Sequence, residues 1–465
     1  MQSAFFPVVV IGAGPVGLAA AAHLLARGRT PLVLEAGPHV GAGMRRWGHV
    51  RMFSPWRYNI DPASAELLAR HGWTPPDPAR LPTGREMVEA YLAPLAATSE
   101  LAPHIRLDAR VVAVSKQRLD RMKSGQRDTA PFLVRYRQGD EEHDIVAAAV
   151  IDASGTIDTP SPLGASGLAA RGERAASAHI FYGIPDVRGA DRARYEGKRV
   201  LVVGSGHSAF NVLLDLAAVA REAAGTSVHW AIRRASVASV FGGGNRDQLA
   251  ERGRLGLRLA RLVDDGAAQA HTGVHLDRIE RRGDGLVAWS GETPLPAVDE
   301  IIATTGFRPD LTILGELRLG LDPAIEAPTA LAPLIDPNVH SCGSVPPHGA
   351  EELRHPDADF YVVGMKSYGR APTFLLRTGY EQVRSVVAAI AGDWDAARRV
   401  ELVLPETGVC STEPVGCGPS AATDCALPRA EGASPAEAGP RRGGEGMPGC
   451  CGVTTGGPRT PRSPD

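Results

Sequence analysis

The sequence predicts an α/β fold of two three-layer units, the second inserted into the first, followed by an extension without a core. Three observations predict it. An apolar run passes through a glycine turn into an alanine-rich helix at VVVIGAGPVGLAA, residues 8–20. A second such passage, VLVVGSGHSA, stands at 200–209. A late apolar strand, DFYVVG at 359–364, and a helical pattern over TFLLRTGYEQVRSVVAA come after it, so the first unit is completed only after the second has closed.

The elements can be justified in chain order. The helix after the first turn gives way to TPLVLEA at 30–36, a strand, helix, strand unit in about 30 residues. Prolines 55, 62, 75, 76, 78 and 82 cut the next stretch into pieces, of which the clearest is a helix starting after Thr83 in PTGREMVEAYLAPLA. The alternating RLDARVVAVS and PFLVRYRQ, then the apolar DIVAAAVI, predict a small sheet layer feeding a central strand that ends at DASG, residues 152–155. TPSPLGASG links to the second unit, in which the strand at 198–203, a helix reaching about 222 and the strand SVHWAIRR repeat the pattern. Residues 241–272 read as helical with loops, and 296–305 as a strand closing at ATTG. The resulting domains are 1–160 and 321–403 for the interrupted unit, 161–320 for the insertion and 404–465 for the tail.

With 465 residues, 43% hydrophobic and 22% charged, the chain can bury a large cofactor. A net charge of -2 gives no electrostatic reason to expect nucleic acid or an anionic membrane surface. The start MQSAFFPVVV has no leader pattern, and no segment reaches the roughly 18 apolar residues of a membrane span, so a cytoplasmic, membrane-free protein is expected, as monomer or homodimer. Only Cys342 precedes residue 405, whereas Cys410, Cys417, Cys425, Cys450 and Cys451 crowd the tail, a distribution unlike a disulfide scaffold. From Pro405 onward there is no Phe, Tyr or Trp, so the tail is expected to be disordered.

Gly12, Gly14 and Gly17 complete G-x-G-x-x-G at a strand-to-helix turn: the first permits the turn, the second admits a pyrophosphate, the third lets helix and strand close up. Glu35 ends the next strand 23 residues after Gly12, where a carboxylate accepts ribose hydroxyls. The second turn has Gly204, Gly206 and Ala209, and the residues 29 and 30 beyond Gly204 are Arg233 and Arg234 rather than an acid. Guanidinium groups there suit the 2′-phosphate of NADPH, the alternative being solvated arginines at a strand end. Only four of the 50 Lys and Arg residues are lysines, so any single arginine is weak evidence and the pair in place of the acid carries the argument. An acidic first site suits FAD and a basic second one NADPH, which makes both Rossmann-like, three-layer dinucleotide-binding domains.

Residues 8 to about 400 resemble the flavin-containing monooxygenase-like branch of two-dinucleotide flavoproteins. The residues that carry this are VVVIGAGPVGLAA, GAGMRRW at 41–47, PTGREMVEAYLAPLA, VLVVGSGHSA and IIATTGFRPD at 301–310. The resemblance implies that Arg45 and Trp47 lie near the flavin, that Gly364 and Met365 close its other side, and that Val112, Gly155 and Ser208 join the cofactor-binding set. Trp47 also reads as a core aromatic, and Lys366 as either a flavin or substrate neighbour or a solvated loop residue. The family's F-x-G-x-x-x-H signature is incomplete: Phe181 and Gly183 fit, but Val187 takes the histidine position and His179 is out of register. A narrower likeness, over residues 343–383 and LPETGVCS at 404–411, is to flavoprotein monooxygenases of bacterial arsenic-resistance gene clusters.

The implied reaction is NADPH-dependent monooxygenation: FAD is reduced, O2 is activated as a C4a-(hydro)peroxyflavin, and a small soft nucleophile (sulfur, nitrogen or trivalent arsenic) is oxygenated. Candidates for lining the dry pocket this needs are His49, Ser54, Trp56, Asn59, Lys366, Tyr368 and Arg370. The alternative is an NADPH:acceptor flavin oxidoreductase without oxygenation. A dithiol reductase is disfavoured because no C-x-x-C pair is present. A thiol- or metalloid-binding redox protein is the remaining reading, with Cys450 and Cys451 able to offer soft ligands to a metal or metalloid but without a zinc-type spacing. No resident metal is expected.

Overall fold

A computed structural model describes residues 6–402 apart from 243, 245–246, 248, 340–344 and 372–373. The tail and all six cysteines therefore lie outside the described residues, and with them the expectations of disorder and of soft-ligand binding.

Five parallel strands form the first sheet, in the order Phe360–Val362, Ala149–Asp152, Val8–Ile11, Pro31–Leu34, Ile105–Arg106. Its strands are continuous apolar runs because both faces are covered. Alternation sorts the side chains: Val8 and Val10 join a core with the helices Pro15–Ala26 and Leu376–Ile390, whereas Val9 and Ile11 pack on Phe132, Val134 and Phe360. That second face is roofed by the antiparallel strands Arg110–Lys116, Phe132–Gln138 and Glu141–Ala147, the small sheet layer expected from their alternation. Four alanines, Ala19–Ala22, are buried to 3% exposure or less, and so small a side chain lets the first helix lie between sheet and neighbouring helices.

The inserted unit repeats this plan. Its parallel order is Gln269–His271, Ser227–Ala231, Arg199–Val203, Glu300–Ala303, Ile180–Tyr182. Val200 and Val202 face the helices His207–Glu222 and Ala250–Asp264, and Leu201 and Val203 face an antiparallel ribbon built on Arg278–Arg282 and Gly285–Ser290. The chain enters and leaves this unit side by side: Ser161 N donates to Gly306 O at 2.9 Å and Arg308 N to Thr159 O at 2.8 Å. Val187, at the signature histidine position, is 1% exposed in the inserted unit's core.

The helix after Thr83 departs from the regular one expected. It begins with a capping box between Thr83 and Glu86, runs Gly84–Met87, widens into a π turn over Val88–Leu92 and ends Ala93–Ala96. Pro94 explains the widening, since it has no N–H to give and its ring would strike the carbonyl of Ala90 in a regular helix. The Ala90 carbonyl instead accepts the Trp73 indole N–H at 2.9 Å.

The first sheet is closed by residues more than 200 positions apart. Beyond the paired strands Ala149–Asp152 and Phe360–Val362, Val363 N donates to Asp152 O at 2.9 Å. Lys366 Nζ then reaches the Asp152 carboxylate at 2.7 Å and Ser154 Oγ at 3.0 Å, with Lys366 1% and Asp152 0% exposed. The solvated-loop reading of Lys366 is thereby overturned: the strand end and the following 3-10 turn, Gly364–Tyr368, draw it inward. Lys366→Met should strand a buried carboxylate and cost about 3–5 kcal/mol in denaturant unfolding. A K366M/D152N double variant should recover part of that loss, whereas additive losses would show that the pair is not coupled.

Candidate functional site

The first glycine turn has the shape of a phosphate cradle. Gly12 sits at φ +98°, and a Cβ on Gly17 would stand 2.0 Å from Gly12 O, so helix and strand touch backbone to backbone. Around Gly14, which caps the helix without a side chain, and around Gly155, an added Cβ would meet nothing within 4 Å. That open face at a helix start fits a dinucleotide pyrophosphate. Glu35, buried, accepts Ala13 N at 2.7 Å and Gly37 N at 2.8 Å, so it fastens the turn itself while retaining lone pairs for ribose hydroxyls. Val112 lies at the register shift between Val111 and Ala113, where a bulge releases it from ladder pairing. Gly364 packs on Val16 of the cradle helix and its N–H donates to Gln382 Oε1 at 2.7 Å, which brings the Gly364–Met365 turn to the same rim.

In the second turn Gly204 has φ +132°, and a Cβ there would meet Thr304 O at 2.5 Å. The ATTG segment thus presses directly on the second cradle. Its mouth is open at Gly206, beside half-buried Ser208. Arg233 is exposed, and Arg234 donates to Ser239 O at 2.9 Å; neither has a carboxylate partner among the described residues.

Sequence reasoning passed over His207, the first residue of the helix after Gly206. Its ring lies 5.3 Å from Phe53 and 5.5 Å from Phe210, so it packs between the two units at the second cradle. Its place inside GSGHSA was the available signal. Close by, His49 is half-buried, with Nε2 shielded from solvent and without a hydrogen-bond partner among the described residues. On the inserted unit, burial pushes the Asp215 carboxyl above its usual range.

The other candidates fall into separate groups. Ser54 and Asn59 are buried and joined, Ser54 Oγ donating to Asn59 Oδ1 at 2.9 Å and Asn59 Nδ2 to Ser54 O at 2.7 Å. They line a small pocket with Tyr58, Leu249, Leu375, Leu376 and Arg377. Trp56 is fully buried with its indole N–H unpaired, while Trp47 is half-buried against the backbone of Gly84. Tyr368 is buried between His348 and Phe374, and burial raises its phenol. Arg45 is exposed, and Arg370 turns outward to a bidentate pair with Glu326 at 2.8 Å. Among the described residues no group of His, Cys, Asp and Glu could hold a metal ion, and no helix is long and apolar enough to cross a membrane.

Behind the Gly364 turn, Gln382 is fully committed: Oε1 accepts Gly364 N, and Nε2 donates to His348 Nε2 at 2.9 Å and Ser367 Oγ at 3.0 Å. His348 Nδ1 faces the Pro346 carbonyl at 3.0 Å, so the hydrogen bonds require a neutral ring protonated on Nδ1.

Three comparisons place this geometry among known proteins. A family model described as pyridine nucleotide-disulphide oxidoreductase matches residues 9–336. The flavin-containing monooxygenase FMO GS-OX-like 2 of Arabidopsis thaliana is 25% identical over 239 residues, which cover 46% of this chain and 48% of that protein. The match therefore spans about half the length of that curated relative. Among solved structures, bacillithiol disulfide reductase Bdr (YpdA) from Bacillus cereus superposes with TM-score 0.59 at 20% identity over 83% of this chain and 99% of its own. A mutant flavin monooxygenase from Stenotrophomonas maltophilia gives 0.53 at 23% identity over 83% and 98%. Both solved structures share the fold with this chain.

Buried neutral histidines make the assembly acid-sensitive. Burial holds His207 and His355 down to about 4, Arg252 adding to the effect at His207, and keeps His348 below its usual range. The unfolded chain takes up these protons near the ordinary value of about 6.5, so stability is intact above that pH and falls as pH drops toward 4. The loss should be on the order of 3 kcal/mol each for His207 and His355 by pH 4. Unfolding free energies measured from pH 7 to 4.5 should decline with a slope that His355→Gln flattens; an unchanged slope would assign the decline to other groups.

Proposed function

The chain belongs to the pyridine nucleotide-disulphide oxidoreductase family and is an FAD- and NADPH-binding oxidoreductase, and on that premise we propose that it passes hydride from NADPH through FAD to a small-molecule acceptor. The observation that carries this reading is the charge inversion between two otherwise matching cradles: Glu35 beside the first, Arg233 and Arg234 beside the second. In this reading Gly12, Gly14, Gly17, Glu35, Val112, Gly155, Gly364 and Met365 hold FAD, and Gly204, Gly206, Ser208, Arg233 and Arg234 hold NADPH. Residues 1–160 and 321–403 then form the FAD domain and 161–320 the NADPH domain. FAD, when bound, supplies the two-electron carrier that no side chain can. The chain's part is to fix the two nucleotides across the interface at Phe53 and His207 and to exclude water there. No C-x-x-C pair exists in the sequence, so electrons leave to a free acceptor rather than through a protein dithiol.

A second reading, oxygen transfer to sulfur, nitrogen or trivalent arsenic, is favoured by the motif resemblance and by the Arabidopsis relative's name. The burial of Val187 where the signature histidine is expected supports acceptor reduction instead. The arsenic-resistance likeness belongs to this second reading.

Two measurements test the proposal. Replacing Arg233 and Arg234 with glutamine should raise the KM for NADPH at least tenfold and leave that for NADH within about twofold, since charge-assisted bonds to one phosphate are worth roughly 1.5–3 kcal/mol each. Equal loss with both donors would remove the NADPH assignment. Under labelled oxygen, acceptor-dependent NADPH consumption should proceed without label in the product; label found in a thioether, amine or arsenical product would replace acceptor reduction with monooxygenation.

A further inference from the structure

The hydrogen bonds behind the first cradle form a chain whose two ends cannot be reversed. At one end the Pro346 carbonyl can only accept, so the His348 Nδ1 that faces it at 3.0 Å carries the proton and Nε2 presents a lone pair. At the other end Gly364 N–H can only donate, so the oxygen of the Gln382 amide is the atom 2.7 Å from it. The Gln382 nitrogen is thereby aimed at His348 Nε2, 2.9 Å away, and at Ser367 Oγ, 3.0 Å away. Ser367 Oγ in turn donates to Gly364 O at 2.7 Å, so both polar backbone atoms of Gly364 are held by this one set. His348 is 4% exposed and Gln382 and Ser367 are fully buried, which makes a lost bond costly.

Gly364 is part of the cradle's wall. It stands at φ +68°, and a Cβ there would meet Val16, the second residue of the cradle helix, at 3.3 Å. Gly379, on the same helix as Gln382, closes this contact: a Cβ on it would come within 2.8 Å of Val16 and 3.6 Å of the Gly364 Cα. Two residues beyond Gly364, Lys366 ties the turn to Asp152 and Ser154, and Ser154 abuts Gly12. A movement of Gly364 is therefore a movement of the cradle.

A proton taken from solvent by His348 breaks the chain at its centre. Nε2 then carries an N–H and meets the Gln382 N–H head on, two donors 2.9 Å apart. Turning the Gln382 amide by half a revolution gives the imidazolium a charge-assisted acceptor, but it puts nitrogen where oxygen had been and leaves Gly364 N–H facing a donor. The carboxylates that face His348 are Glu352, which accepts Gly349 N, and Glu381, which Arg384 holds; the Tyr368 ring packs 5.6 Å away. Burial disfavours the imidazolium more strongly than these carboxylates and the Pro346 carbonyl favour it, so the ring is neutral at pH 7 and takes up its proton below the ordinary value of about 6.5. We infer that Gln382 is a positioning residue for FAD whose amide direction is set by His348, so that one proton on His348 reverses the amide, releases Gly364 and loosens FAD. The inference rests on FAD occupying the first cradle, and not on which acceptor the flavin reduces.

The test uses holoenzyme and FAD itself, with the dissociation constant measured by equilibrium dialysis at about pH 7.5 and about pH 5, and circular dichroism checking at each that the chain is folded. The constant should rise at least about tenfold toward the acid end, since a buried donor loses its acceptor. His348→Gln, whose amide oxygen can accept the same bond but takes up no proton, should flatten that rise to within about twofold. Gln382→Leu, with no amide to turn, should bind FAD weakly at both values with no acid rise left. A constant that does not change with pH in the unaltered enzyme overturns the inference, as does an acid rise that persists in H348Q, which would assign the rise to other groups. Where H348Q does not fold, Gln382→Leu decides, and an acid rise of unaltered size there overturns the inference as well. Failure of NADPH to reduce the bound flavin, measured separately by absorbance, would count against the proposed function and leave the binding result standing.

Discussion

The ion pair between Lys366 and Asp152 is the contact on which the site's geometry depends. Asp152 ends the central strand that borders the first cradle, and Lys366 belongs to a turn that the chain reaches only after the whole inserted unit. Neither charge is accessible to water, so each is tolerable only with the other in place. Ser154 closes the arrangement, donating to one Asp152 oxygen and accepting from Lys366, and the backbone of Ser154 in turn abuts Gly12. A disturbance at Lys366 is thus passed through two contacts to the turn that shapes the cradle. Gln382 holds the same 3-10 turn from behind through Gly364 and Ser367.

In the proposed reading, two cradles of one design would take different nucleotides through the residues placed just beyond each unit's second strand. Glu35 and the Arg233–Arg234 pair occupy equivalent places, yet they serve their turns differently. Glu35 is tied into the backbone of its own loop by accepting two N–H groups, whereas Arg233 is exposed and Arg234 donates to the Ser239 carbonyl of the loop that follows it. The acid is consequently both structural and available for binding, and its geometry is fixed before any ligand arrives. Exposed Arg233 keeps conformational freedom and lends charge more than shape.

Much of the fold could be read in the sequence because glycine spacing and two-residue alternation are local signals. The strands at 8–11 and 199–203, the roof over the first sheet and the late return to that sheet all follow from them, whereas the ribbon over the second sheet did not declare itself. Side-chain partners are not local, and there the reading stopped. Lys366 could be named as unusual among four lysines, but its burial depends on Asp152, 214 positions away. Arg370 sits four residues further along and turns out to Glu326, a difference in direction that nothing in GMKSYGR specifies. His207 was missed because the motif draws attention to its glycines. The π turn was foreshadowed by Pro94 alone; that Trp73 would satisfy the released carbonyl is a tertiary fact.

The interruption of the first sheet also imposes an order on biosynthesis. Val8–Ile11 and Ala149–Asp152 leave the ribosome early, but the strand and helix that complete their layer, Phe360–Val362 and Leu376–Ile390, emerge only after the inserted unit. The inserted unit, whose strands all fall between residues 180 and 303, is fully translated before then. During that interval the nascent chain carries a finished module between two halves of an unfinished one, and apolar strands from the first half wait without their cover. Small alanines in the first helix and the early antiparallel roof limit how much sticky surface the unfinished half displays to chaperones and to its neighbours on the polysome.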